Sequence, residues 1–347
     1  MTGSRPAGRP HPLGTGRTGF QSPFRTTALS FLKGIGASPM TAQVIDGRKL
    51  ADTLRATVAQ EVSALAQDGI ACRLATVSIG DDDHAKLYER RIAATAADLR
   101  VGHTHVGLAH DVTQSDVLES ITALNDDLSI SAILILRPVP DRLDETEIFA
   151  GIAPTKDIDG VHPENLGWLA VGKPRFVSPT AVSAFHALDE WIDQSGINSR
   201  DFYRHSLIVV VGRSANVGKP ALLLALQRQA AAESVDEWAS RHGQLGWHTR
   251  RADVLIVAAG SPQLIRAEHV REGTVVIDVG INAVRDETGT HIVGDVDFAQ
   301  VRSRARAITP VPGGIGPLTD LWVMRNAAVA ARLNCSPASH SAGLAIS

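Results

Sequence analysis

The sequence predicts an α/β protein of two domains, an N-terminal α/β domain followed by a doubly wound, Rossmann-like one. Three observations carry this. The 347-residue chain exceeds the roughly 250–300 residues at which one hydrophobic core stops growing. Helical and strand-like patterns alternate from Asp46 onward, as in layered α/β proteins. In the second half the apolar runs SLIVVVG, DVLIVAAG and TVVIDVG read as buried strands, the first followed by a glycine turn and a helix.

The first forty-odd residues stand apart. Residues 1–45 carry Arg5, Arg9, Arg17, Arg25 and Lys33 and no acidic side chain, whereas the whole chain has a formal net charge of −3. Their Gly, Pro, Ser and Thr content cannot bury enough apolar surface to order them, so residues 1–42 are expected to be a disordered tail. An acid-free, Arg-rich leader is also the composition of an organelle transit peptide, but the Pro and Gly density opposes the amphipathic helix such peptides form. The preferred reading is that Met40 is the start and the tail is overcalled, because MTAQVIDGRKLA begins a well-formed element at once.

A helix follows Asp46, which can cap it, with Leu50, Leu54, Val58, Val62 and Leu65 on one stripe. Strand RLATVSI, a helix over about 84–99, a strand at VGHTHVGL, a helix burying Val117, Leu118, Ile121 and Leu124, and the buried strand SAILIL complete the first series. A helix over 180–194, with Phe185, Leu188, Trp191 and Ile192 inward, leads to the second series, where a helix starts at about Val217. The domains predicted are 43–180, completed by a last helix over 318–333, and 181–317 for the Rossmann part, with 334–347 a frayed end.

Composition excludes several function classes. At 44% hydrophobic and 20% charged, with so little net charge, the chain is a globular protein and not one that coats nucleic acid. No apolar run approaches the roughly 18–20 residues of a membrane span. Cys72 and Cys335 are too few for a disulfide framework and lack zinc-site spacing, which points to a reducing, cytoplasmic setting.

Three segments carry chemistry. In LIVVVGRSANVGKP, Gly212 and Gly218 shape a turn between strand and helix that aims backbone N–H groups and the helix dipole at an anion, as a dinucleotide pyrophosphate requires. The spacing is neither GxGxxG nor a Walker A loop, and a tight turn that merely packs is the plainer alternative. The loop PTKDIDGVHPENLG concentrates Lys156, Asp157, Asp159, His162 and Asn165, either for function or as a capped, solvated connection. In ITPVPGGIGPLT, prolines of fixed φ alternate with glycines that let a ligand approach the backbone.

Together with IDGRKLA, VIDVGIN and VGDVDF, these segments resemble the bifunctional methylenetetrahydrofolate dehydrogenase/cyclohydrolase family, in its order, from about Val44 to Ala331. The resemblance implies an N-terminal folate domain, a Rossmann domain binding NADP or NAD, a cleft between them, a tetrahydrofolate substrate and a homodimer. Carried over residue by residue, it implies Tyr88 and Asp159 as catalytic and substrate-binding groups and Pro312, Gly313 and Gly314 as further substrate contacts. Gly212, Arg213, Ser214, Gly218 and Ile281 would hold the cofactor, and no metal is implied.

Two departures bear on the chemistry. The family's active-site helix carries a serine, a tyrosine three later and a lysine four after that; here the positions read Ala85, Tyr88 and Ile92. Its glutamine-leucine-proline-leucine-proline strand end, whose glutamine contacts that lysine, reads Leu136, Arg137, Pro138, Val139 and Pro140. Oxidising the methylene bridge needs orientation and desolvation and no obligatory side-chain base. Hydrolysing the methenyl cation needs an activated water and proton transfers, which Ile92 cannot supply. The expectation is a dehydrogenase whose cyclohydrolase step is lost or weakened. His84, one turn from Tyr88, is a substitute base to weigh against an exposed histidine beside Asp81, Asp82 and Asp83, whereas Lys86 faces another side of the helix. A paralogue acting on another pterin-like or one-carbon substrate, and a noncatalytic folate- or nucleotide-binding protein, remain the alternatives.

Cofactor choice stays open. The family's histidine-serine-x-threonine segment is absent from AAAESVDEWASRHGQ, where Asp236 or Glu237 would favour NAD, while Arg213 suits the extra phosphate of NADP. His103 and His105 share one strand face but lack a third metal ligand.

Overall fold

Strand β1 (Gln43–Val44) and helix α1 (Gly47–Gln67) open the described chain, which in this computed structural model comprises residues 41–287 and 289–335. The tail over 1–40 and the end over 336–347 lie outside the described residues. The Asp46 carboxylate caps α1 by accepting from the Arg48 amide at 3.0 Å, and the stripe Leu54, Val58, Val62 and Leu65 is buried as its 3.6-residue spacing dictates.

Two crossings then build a small sheet. Strands β2 (Arg73–Ile79), β3 (Gly102–Leu108) and β4 (Ala132–Ile135) run parallel in the order β3-β2-β4, joined by α2 (Asp83–Asp98) and α3 (Gln114–Asp126). Short helices α4 (Glu145–Ala150) and α5 (Pro163–Ala170) follow, then α6 (Pro179–Gln194) and α7 (Ser199–His205). The apolar core of this half sets Ala75, Val77, Ile133 and Ile135 of the sheet against Val117, Ile121 and Ile148.

The second half is doubly wound. Strand β5 (Leu207–Val211) leads through α8 (Gly218–Gln227) to β6 (Ala231–Val235), then past α9 (Glu237–Arg241) and α10 (Leu245–Thr249) to β7 (Val254–Val257) and β8 (Val275–Asp278). A hairpin of β9 (Asn282–Asp286) and β10 (Gly289–Val293), helix α11 (Phe298–Val301), strand β11 (Ala307–Ile308) and the long helix α12 (Ile315–Cys335) complete the fold. The sheet order is β1-β11-β8-β7-β5-β6, all parallel, so the direction of winding reverses beside β5. Ligands of such sheets bind at that reversal, outside the strands' carboxyl ends.

Three boundaries differ from expectation. Strand β1, inside the 43–180 predicted for the first domain, is the edge of the larger sheet, with Val44 opposite Ile308. Ala42 is already buried in that sheet's core and its amide donates to the Arg302 carbonyl at 2.9 Å, so packing begins before residue 43. The last helix starts at Ile315 and runs to Cys335, so residues 334 and 335 are helical, not frayed. Strand β6 escaped a propensity reading because AAESV has one β-branched residue; pairing with β5 makes it a strand.

Helix α12 ties the halves together. Its buried Asn326 amide donates to the carbonyls of Ile158 at 2.8 Å and Val177 at 3.0 Å, holding the loop before α5 and the entry to α6 against one helix. Truncating it leaves two buried carbonyls unpaired. Asn326→Ala should therefore destabilise the chain by about 2–4 kcal/mol in urea unfolding, and a loss below about 1 kcal/mol would mean water or a local shift satisfies both carbonyls.

Candidate active site

The strand ends of both sheets open on three adjoining cavities of about 360, 430 and 1040 Å³. Ile281, half exposed after β8, lines all three. Tyr88 and Asp159 face the first, Pro312, Gly313 and Gly314 the second, and Ser214 the third. Residues up to 235 positions apart in the chain, His84 and Thr319, thus meet in one cavity.

Asp159 reaches the cleft because the dense polar loop holds itself rigid. The Ile133 amide donates to the Lys156 carbonyl at 2.8 Å and Ile133 bridges Asp157, so the loop extends the small sheet beside β4. The Lys156 ammonium caps α3 through the carbonyls of Leu124, Asn125 and Asp127 at 3.0, 2.7 and 2.9 Å. The buried Asp157 carboxylate accepts from the amides of Val161 and His162 and from Asn165 Nδ2. His162 caps α5 by accepting from the Glu164 amide at 3.0 Å. Of the five polar residues, four are structural, and only Asp159 lines the cleft.

Two arginines then set the electrostatics. Arg137, after β4, donates from Nη1 to Asp159 at 3.0 Å and from Nε to Glu145 at 2.9 Å, lies over the Phe149 ring, and leaves its buried Nη2 without a partner. Burial pushes the Asp159 carboxyl up, and Arg137 opposes the rise. Arg91, one turn beyond Tyr88 on α2, grips both carboxylate oxygens of Asp320 of α12 through the Nε/Nη2 edge of its guanidinium at 2.7–3.1 Å. Burial, followed by the carboxylates of Asp320 and Asp159, drives the Tyr88 hydroxyl well above its ordinary pKa, so it stays a donor. Arg91 and Asp320 were not predicted as site residues; the i, i+3 spacing of Arg91 from Tyr88 was the available signal. Arg137 was noted only as a departure at the strand end.

The other positions of interest are accounted for. Ile92 is fully buried, Leu136 is 1% exposed, and neither position offers a polar group. His84 is exposed and lines the first and third cavities at their mouth. Lys86 turns away to Asp81 at 2.5 Å, and Asp82 caps α2 by accepting from the Ala85 amide at 2.9 Å. Thr76 Oγ1 lies between His103 Nε2 at 2.9 Å and His105 Nδ1 at 3.2 Å, and among the described residues no group of three or more His, Cys, Asp or Glu side chains could hold a metal.

On the Rossmann side, close packing demands the two glycines. Gly212 has φ +114°, and a Cβ there would overlap the Ala258 carbonyl, while a Cβ on Gly218 would overlap the Gly212 carbonyl. Helix α8 can therefore start hard against the end of β5, where Ser214 Oγ accepts from the amides of Val217 and Gly218 at 3.2 and 3.3 Å. Gly260, at φ +62° with open space where a Cβ would stand, borders the first and third cavities. This turn fits a dinucleotide pyrophosphate. Arg213 lines none of the three cavities; it bends to the end of β6. Among the described residues no helix is long and apolar enough to cross a membrane.

Two families' descriptions match the chain: "Tetrahydrofolate dehydrogenase/cyclohydrolase, catalytic domain" over residues 45–159, and the NAD(P)-binding domain of the same name over 198–335. A curated relative called bifunctional protein FolD 3, from Rubrobacter xylanophilus, is 47% identical over 84% of this chain and 93% of its own. A solved bifunctional FolD enzyme, methylenetetrahydrofolate dehydrogenase/cyclohydrolase, from Campylobacter jejuni superposes with a TM-score of 0.75 at 32% identity, covering 84% of this chain and 99% of that one. The Trypanosoma brucei enzyme, solved with NADP and an inhibitor, gives 0.76 at 30% identity over 85% and 99%.

The buried loop carboxyl yields a pH signature. Burial pushes Asp157 up to about 6 from 3.8, so the folded chain holds this proton longer than the unfolded one. Its contribution is fully present below the unfolded value and is lost as pH rises through the folded one. Compared with Asp157→Asn in urea unfolding, the natural chain should lose about 2–3 kcal/mol between about pH 4 and pH 7. A difference that does not change with pH would mean that the three donors keep Asp157 ionised.

Proposed function

The chain belongs to the tetrahydrofolate dehydrogenase/cyclohydrolase family, and from that premise we propose that it oxidises 5,10-methylenetetrahydrofolate to methenyltetrahydrofolate with NAD or NADP, hydrolysis of the product being lost or weak. The observation that carries the second half is the fully buried Ile92, with Leu136 beside β4, where the family resemblance expects an amine and its amide partner. Nothing at those positions can take or give a proton.

The oxidation asks less of the protein. Asp159, held by Arg137, is an acceptor for the pterin's N–H groups, and Arg137 lines the same cavity. Tyr88 stays protonated and presents a hydroxyl, while the Arg91–Asp320 pair fixes α2 against α12 so that this hydroxyl keeps its place. Pro312, Gly313 and Gly314 form a wall against which a planar group can lie. The turn that Gly212 and Gly218 allow receives the dinucleotide's pyrophosphate beside Ser214, which lines the third cavity together with Ile281. A bound nicotinamide supplies the hydride acceptor. The chain's own contribution is orientation and the exclusion of water from a cation it has no base to hydrolyse.

A homodimer and a cytoplasmic setting belong to the same reading. Trp238 and Trp247, 55% and 59% exposed on α9 and α10, leave apolar surface on the Rossmann side that a second copy can cover.

The test mixes the protein with methylenetetrahydrofolate and either nucleotide and follows reduced nicotinamide and methenyl product together. Both should accumulate, with the methenyl compound decaying at its uncatalysed rate. Catalysed decay that His84→Ala abolishes would overturn the loss of hydrolysis and make that histidine the base. No reduced nucleotide with either cofactor would overturn the dehydrogenase reading. Asp159→Asn should lower kcat/KM for the folate about 100-fold while leaving the nucleotide KM within about twofold; an unchanged kcat/KM would remove Asp159 from the site.

A further inference from the structure

We propose that this chain selects NAD over NADP and that Asp236 is the residue that does so; the inference rests on the dehydrogenase reading above and deepens it. The placement comes from the sheet. Strand β6 pairs with β5 in register from Leu207 opposite Ala231 to Val211 opposite Val235, and the Gly212 amide donates to the Val235 carbonyl at 2.8 Å. Asp236, the next residue, therefore stands beside the phosphate-binding turn, one strand over. In a doubly wound sheet this is where the adenosine ribose lies.

The charges there favour a hydroxyl over a phosphate. Asp236 Oδ1 accepts from the Ala239 amide at 3.3 Å as the cap of α9, and Oδ2 accepts from Arg213 Nη1 at 2.7 Å. A carboxylate has about four lone-pair sites, so two bonds leave room for a ribose hydroxyl to donate. The residue is 37% exposed, open to a ligand from solvent.

Arg213, the group that would recognise a 2′-phosphate, has three of its five N–H donors already committed. Its Nε donates to Ser234 Oγ at 3.0 Å, Nη1 to Asp236, and Nη2 to the Ser234 carbonyl at 3.1 Å. The neighbouring cation, Arg241, pairs with Glu237 at 2.5 Å. A 2′-phosphate would compete with Asp236 for Arg213, meet only the guanidinium's two remaining donors, and settle next to Asp236 and Glu237. The exposed ion pairs themselves are worth little. Like-charge repulsion between a dianion and two carboxylates supplies the discrimination.

Direct binding tests this without relying on turnover. Calorimetric titration of the full chain should give a Kd for NADH at least about tenfold below that for NADPH. Asp236→Ser keeps an oxygen for the α9 cap and removes the charge; it should tighten NADPH about tenfold and weaken NADH severalfold, with kcat/KM for the two oxidised nucleotides moving the same way. The gain for NADPH should vanish in Asp236→Ser/Arg213→Gln, because it needs the freed guanidinium. Asp236→Asn, which retains shape and cap, should move the ratio in the same direction as the serine variant. Equal or tighter NADPH binding by the natural chain, or an unchanged ratio in both Asp236 variants, overturns the inference while the dehydrogenase reading stands if methylenetetrahydrofolate is still oxidised. Failure to bind either nucleotide overturns both.

Discussion

The Asp295 carboxylate accepts from the amides of Ala259, Gly260 and Ser261 at 2.6, 2.9 and 2.9 Å and from Asn282 Nδ2 at 2.8 Å. Beside it Asp278 accepts from the amides of Gly280, Asp295 and Val296 at 2.9, 3.1 and 3.0 Å. These two buried carboxylates gather the segments after β7, after β8 and before α11 into one hydrogen-bonded knot. Segments leaving parallel strands have no neighbouring strand to satisfy their amides, and a buried unpaired amide is costly. Burial pushes Asp278 up to about 7 against its three donors, so the knot is a place of opposed terms. Gly260, Val279, Gly280 and Ile281, which border the cleft, hang from it.

On the other wall the same problem is solved with ion pairs. Arg137 with Asp159 and Glu145, and Arg91 with Asp320, place two guanidinium groups around a pocket, while Ile92 on the same helix as Arg91 is buried and aliphatic. A guanidinium is always protonated, so it can orient an acceptor and cannot serve as a base. With Ile92 buried and aliphatic between these fixed cations, the pocket's own charged groups hold charge in place.

The dense polar loop shows how far residue types alone can be read. Lys156, Asp157, Asp159, His162 and Asn165 look equivalent in one dimension. In the fold, Lys156 caps α3, Asp157 and Asn165 brace the turn, His162 caps α5, and Asp159 alone faces the cleft. The discriminating fact is the pairing of Ile133 with Asp157, which sets which way each side chain points, and pairing is nonlocal. Arg137 was similarly hidden: its role depends on Asp159 and Phe149, 22 and 12 positions away.

Local periodicity was enough for the strands β2, β4, β5, β7 and β8, for the major helices, and for the glycine turn, because each buries a continuous apolar pattern or demands a small residue where backbones touch. The match of motif order to a known family followed from the same one-dimensional information. Strand β6, the edge strand β1 and the hairpin of β9 and β10 needed their partners, since Ala231–Val235 and Asn282–Asp286 carry weak intrinsic preference. The direction of Arg213 also needed a partner. Read along the chain it opposed Asp236 in the choice of nucleotide; folded, the two form one ion pair, because adjacent parallel strands bring residues 23 positions apart to 2.7 Å.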